Sequence, residues 1–252
     1  MKNRLIIGIV TLFACLFVSC EYDNYDPPGI TFSGKLTSKG QSFLFDGNPD
    51  KPVLKLIQKG FGKVDNGTNI RIDEEGKYQQ LIFEGDYWLT LNNVAYPFEF
   101  ADFNSLGAGL GYDSIQMHIT SNVVKNLEVT PYFHISNFRA NVEGDNIVLR
   151  ADVNVNTETR GPAPRVTFAR GYASTSSIVN SKTVCTRSQR AVITNTGNVE
   201  ISIPIHNNII AYREVYVNNF RDYAFCRIAL ELDGIANYYL FSETIKIEEV
   251  PL

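Results

Sequence analysis

Tyr223-Ala224-Phe225-Cys226-Arg227-Ile228-Ala229-Leu230-Glu231-Leu232-Asp233-Gly234 decides the fold class. Successive side chains of a strand point to opposite faces. Cys226, Ile228 and Leu230 therefore share a face, and that face is predicted to be buried. Asp233-Gly234 is a tight-turn pair. The chain after it, Tyr238 to Ile247, reads as the returning strand of a hairpin.

The same grammar extends in both directions. Strands are predicted at Ile30 to Thr37, Val53 to Gln58, Thr68 to Ile72, Tyr78 to Phe83, Tyr87 to Leu91, Ile115 to Thr120 and Leu127 to Ile135. More follow on both sides of the Gly144-Asp145 turn, then at Arg165 to Tyr172, Val199 to Ile205 and Val215 to Val217. No stretch sustains the apolar i, i+3, i+4, i+7 stripe of a helix over several turns. Short β-branched and aromatic runs punctuated by Gly, Asn, Asp and Pro predict an all-β chain built of sandwiches.

Two segments carry a family resemblance. Ile70-Arg71-Ile72-Asp73-Glu74-Glu75-Gly76-Lys77-Tyr78, leading through Phe83-Glu84-Gly85-Asp86-Tyr87 to Leu89, resembles the prealbumin-like sandwich of Bacteroidetes lipoproteins found beside Sus-type polysaccharide-uptake genes. Leu127-Glu128-Val129-Thr130-Pro131-Tyr132-Phe133-His134-Ile135 resembles the junction where that family passes into an Ig-like domain. The closing hairpin is similar to the last strands of a fibronectin-III-type sandwich. The resemblance implies two tandem domains, prealbumin-like over 29–130 and Ig/fibronectin-III-like over 131–250. It brings no catalytic residue with it.

The first residues read as a lipoprotein signal peptide, 1–19. Lys2 and Arg4 precede an uncharged run from Leu5 to Val18, a secretory pattern shorter than the ~18–20 apolar residues of a spanning helix. Phe17-Val18-Ser19-Cys20 resembles a lipobox, with Cys20 the lipidated residue. Leu12-Phe13-Ala14-Cys15 is a rival, but cleavage there would leave Leu16, Phe17 and Val18 exposed on the mature chain. Residues 20–28 form an acidic tether ending in Pro27-Pro28, stiff and helix-incompatible. Its acidic start resembles a surface-export signal, and it reads equally well as a solvated spacer. The expected location is the outer membrane, facing the cell surface, with the bilayer as partner through more than one acyl chain.

The net charge is −4, and removing the two positive charges of residues 1–19 leaves −6. That balance argues against nucleic acid, whose binders carry a basic face. His118, His134 and His206 form no His-x-x-x-His pair, and no cysteine pair has zinc spacing, so neither a metal nor a cofactor is expected. There is no Gly-x-Ser-x-Gly elbow. Gly107-Ala108-Gly109-Leu110-Gly111 lacks the strand-to-helix setting and the Lys-Ser/Thr of a phosphate loop. The chain is expected not to be an enzyme. Cys185 and Cys226 are expected to be free thiols.

Binding is argued from the aromatics: 13 Tyr, 16 Phe and one Trp. Leu89 and Leu91 make the better core pair of their strand, which puts Trp88 on the polar face with Thr90 and Asn92. Trp88 is thus predicted partly in solvent as a stacking platform for a sugar, with Tyr96 and Tyr112 as companions from the following loop. The competing reading has Trp88 covered by the second domain or by the loop from Tyr96 to Gly111. Asp113-Ser114-Ile115 fits a short O-glycosylation pattern at Ser114. The functional expectation is a non-catalytic accessory of a Sus-like glycan-uptake system, which binds polysaccharide or helps assemble a complex with a TonB-dependent transporter. The alternative is a structural or adhesin-like surface module with no glycan ligand.

Overall fold

The computed structural model describes residues 26–60, 67–93, 95–103, 114–183, 186–193, 196–205 and 222–250. Cys20, Tyr112, Cys185, His206, the 107–111 glycine run and the Val215–Val217 strand lie outside them. Among the described residues every regular element is a strand, and no helix is long and apolar enough to cross a membrane.

Two sandwiches follow one another. In the first, one sheet runs in the order β2 (Gln41–Ser42), β1 (Ile30–Ser38), β10 (Leu127–Pro131), β7 (Phe98–Phe100). β5 (Lys77–Ile82) and β9 (Val123–Val124) also pair with β1. The facing sheet runs β4 (Thr68–Ile70), β3 (Leu54–Gln58), β6 (Gly85–Leu91), β8 (Ile115–Ile119). β10 returns parallel to β1, with Leu36 opposite Leu127. In the second sandwich, β11 (Phe133–Glu143), β12 (Asn146–Val155) and β16 (Gly197–Pro204) form one sheet. The other runs β14 (Thr186–Arg187), β13 (Val166–Ser174), β17 (Ala224–Leu232), β18 (Leu240–Phe241). β15 (Ala191–Val192) pairs with β13, and β19 (Ile245–Ile247) with β17.

The alternation that predicted the strands also sets their burial. On β17, Cys226, Ile228 and Leu230 are buried side by side, as the pattern required. Gly234 closes the Asp-Gly turn at φ 74°, with the Ile235 amide donating to the Leu232 carbonyl at 3.2 Å. The returning strand differs from the sequence reading, because it is broken into β18 and β19 at Ser242. The Ile228 amide donates to Ser242 Oγ at 2.9 Å, while the Ser242 carbonyl turns away to accept from Arg227 Nε at 2.9 Å. A hydroxyl thus replaces a ladder carbonyl. The stretch predicted as one strand from Leu127 to Ile135 is likewise two. It breaks at Tyr132, whose amide donates to the Pro97 carbonyl and whose carbonyl accepts from the Asn156 amide.

One hydrophobic core runs through both sandwiches, from Phe32 and Leu54 to Ile228 and Leu240. At the junction Tyr96 meets Tyr238 edge to face, ring centroids 4.8 Å apart. The Tyr238 hydroxyl donates to the Pro52 carbonyl at 3.2 Å. Polar contacts close the rest of the seam. Asn180 Nδ2 donates to Glu74 Oε1 at 2.7 Å, and the backbone amide of Arg160 donates to Glu99 Oε2 at 2.8 Å.

Candidate ligand-binding face

Trp88 lies on β6 between Ile57 of β3 and Gln116 of β8. The inward residues Tyr87 and Leu89 are buried, and Trp88 points the other way, half-buried. Burying Leu89 is worth ~1.5–3 kcal/mol, so a register slip that turned Trp88 inward would forfeit the core pairing. Lys59 crosses the indole with Nζ 5.1 Å from the ring centroid, a cation–π cover from the end of β3. Among the described residues, Trp88 Nε1 is buried with no hydrogen-bond partner, and so is Thr90 Oγ1, two residues along on the same face. An unpaired buried polar atom costs ~1–3 kcal/mol.

Two of the proposed companions fare differently. Tyr96 is not at the surface: it is 4 % exposed, stacked on Phe98 with centroids 5.7 Å apart. Its hydroxyl donates to the Val53 carbonyl at 3.1 Å and accepts from the Asn93 amide at 2.7 Å. Burial pushes its ionisation well above the ordinary range. The expectation that Tyr96 contacts ligand is therefore corrected. Phe98, Phe100 and Tyr238 draw the ring into the core, and the Asn93 amide caps its hydroxyl. Tyr112 lies outside the described residues. Ser114 is exposed just before β8.

Other predicted positions are also placed. His118 is on the outer face of β8, paired through Nδ1 with Asp86 at 2.8 Å, and His134 is exposed on β11. Cys226 is a free, buried thiol, and burial pushes its ionisation up to about 12.

The sequence reading missed a groove of about 520 Å3 between the sandwiches. Arg71, Asp73, Glu74 and Lys77 line it from one side, with Asn180 and Thr183 on the other. Its volume falls in the range of small-ligand sites, which favour domain interfaces. Asn180 and Glu74 are 106 residues apart, and no local pattern announces their meeting.

In a comparison with known proteins, residues 30–130, the first sandwich, match one family model. The matching model is that of the DUF3823 N-terminal domain. That domain is described as part of a protein of unknown function. A DUF3823 family protein from Parabacteroides merdae is similar in structure at 22 % identity, covering 88 % of this chain and 100 % of its own, with a TM-score of 0.67. Another from Bacteroides uniformis matches at 17 % identity over 89 % of this chain and 100 % of its own, TM-score 0.65. A third structure, a "putative carbohydrate binding protein" from Bacteroides uniformis, matches at 12 % identity over 88 % and 100 %, TM-score 0.61. At these identities the likeness establishes the fold alone, two β-sandwiches in tandem. No curated protein matches the chain.

Proposed function

We propose that the chain is a non-catalytic surface lipoprotein of a Sus-like glycan-uptake system. It is anchored at the outer membrane through acylated Cys20 and binds carbohydrate on the outer face of the first sandwich. The observation that carries this reading is the half-buried indole of Trp88 on the outer face of β6, with Lys59 across it. A sugar ring stacks through its C–H face on an aromatic ring, and the Lys59 ammonium beside the indole can donate to a sugar hydroxyl. The description of one structural neighbour as a carbohydrate binding protein supports the ligand class. The decisive experiment is a glycan array probed with the mature chain and with Trp88→Ala. The reading expects a glycan signal that the substitution abolishes; a signal that survives it removes the site from Trp88.

A second role has its own observation. Leu81 and Val124 stand on the outer side of the β5–β1–β9 sheet, 52 % and 72 % exposed, and Phe83 follows β5 at 42 %. Exposed apolar residues grouped in this way suit a protein contact, here with a TonB-dependent transporter. Co-purification lost in Leu81→Glu supports that role, and co-purification unchanged by it refutes this surface as the contact.

A further inference from the structure

The β14–β13–β17–β18 sheet buries one face in the shared core and carries a second, smaller cluster on the other: Tyr172, Val179, Ala229 and Phe241, flanked by Phe225 and Tyr239. Arg227, Arg190, Lys51 and Arg170 lie around Tyr172, Tyr239 and Phe241, and the first three are satisfied. Arg227, 1 % exposed, donates from Nε to the Ser242 carbonyl and from Nη1 to the Val179 carbonyl, both at 2.9 Å. Arg190 Nε pairs with Glu231 at 2.9 Å and lies over the Phe168 ring. Lys51, reaching across from the first sandwich, sits 4.4 Å above the Tyr239 ring and donates to Ser181 Oγ at 3.1 Å.

Arg170 is the exception. It lies on β13 opposite Ala229 and two residues from Tyr172, which puts it on this same face. Its Nε is buried and has no acceptor. Among the described residues its guanidinium makes no hydrogen bond and no ion pair. Glu231, the diagonal neighbour on β17, is already held by Arg190. Arg170 pulls against burial on the ionisation of both Tyr172 and Tyr239, so its charge is felt at both hydroxyls. Neither of those hydroxyls has a hydrogen-bond partner among the described residues. A half-buried cation without a counter-charge is costly, and a guanidinium fork is shaped to take a carboxylate through two parallel bonds.

We propose that Arg170 is an anion site for the carboxylate of a sugar acid, with the Tyr172 and Tyr239 hydroxyls beside it and Lys51 at its edge. The sugar body rests on the glycan reading above, whereas the carboxylate site follows from the unpaired guanidinium alone. This face belongs to the second sandwich and is separate from Trp88, so the two sites can be tested independently.

The test is calorimetric titration of the mature chain with a short oligogalacturonate, with galactose and N-acetyl-aspartate as the neutral and the non-sugar controls. The proposal expects the uronate to bind at least tenfold more tightly than galactose, with affinity falling as salt rises. Arg170→Gln should lose that binding at least tenfold, Arg170→Lys should retain part of it, and both variants should keep the wild-type melting profile. N-acetyl-aspartate binding as well as the uronate, with the same loss in Arg170→Gln, supports the carboxylate site and overturns the sugar assignment. Uronate binding unchanged in a folded Arg170→Gln, or no uronate binding at all, overturns the site. A neutral-glycan signal that depends on Trp88 would in that case leave the glycan reading standing.

Discussion

Asp46 of the first sandwich accepts two hydrogen bonds from Ser181 of the second, from the backbone amide at 2.7 Å and from Oγ at 2.6 Å. The carboxylate is 1 % exposed, with Lys51 Nζ 3.7 Å away. Removing one member of a buried charged network leaves the others uncompensated and costs ~3–5 kcal/mol. Asp46→Ala is expected to destabilise by about that amount, and Ser181→Ala by less, ~1–3 kcal/mol. Because the core is continuous, the two sandwiches should unfold in one transition. In a Cys185→Ser background, Trp88 fluorescence reports the first sandwich and Cys226 labelling the second. Coincident denaturant midpoints are predicted; separated midpoints would show that the seam does not couple them.

Cys226 makes the stability pH-dependent. Its folded ionisation is pushed up to about 12 by burial, from an ordinary 9.0. In the unfolded chain the thiol loses its proton first, so between about pH 9 and 12 the unfolded state binds fewer protons. The contribution is fully present below pH 9 and is lost as pH rises towards 12, at up to ~1.4 kcal/mol per pH unit. Cys226→Ala should flatten that part of the decline. Equal alkaline slopes in the two proteins would refute the assignment. The native thiol should also resist thiol reagents at neutral pH and react only on unfolding.

Thr90 offers a test that separates function from stability. Its Oγ1 is buried and unpartnered, so Thr90→Val removes an unmade hydrogen bond and fills nearly the same volume. Melting experiments are expected to show a gain of ~1–3 kcal/mol, with glycan binding on the indole unchanged. A destabilised variant would contradict the reading of this hydroxyl as unsatisfied.

The anchor is tested by cell fractionation. Cys20→Ala should release the chain from the membrane fraction or leave an unprocessed precursor, since the acyl chains supply the attachment. A processed, membrane-bound Cys20→Ala chain would place the anchor elsewhere.

Much of the fold was legible because strand alternation is local. Leu89 against Trp88, and Cys226 with Ile228 and Leu230, needed only the period of two. Tyr96 was misread for the opposite reason. Its burial depends on Tyr238, far along the chain, and on the Val53 carbonyl, and nothing in Asn92-Asn93-Val94-Ala95-Tyr96-Pro97 announces either partner. The break at Ser242 is of the same kind, since it follows from the demand of Arg227 for a carbonyl, a tertiary event on an otherwise regular strand. The anion face was out of reach because an arginine in a sequence gives no sign of whether its counter-charge will be present. Among the described residues Arg190 and Arg227 have partners, and Arg170 has none.

The most direct test of the glycan-binding account uses the chain's single tryptophan. Trp88 is half-buried beneath Lys59, so emission should be intermediate in wavelength, partly quenched by acrylamide, and more strongly quenched in Lys59→Ala. Titration with the polysaccharide identified on the glycan array should shift the emission and protect it from acrylamide, with the same affinity in Arg170→Gln. A signal that ignores every glycan the protein binds would contradict the account.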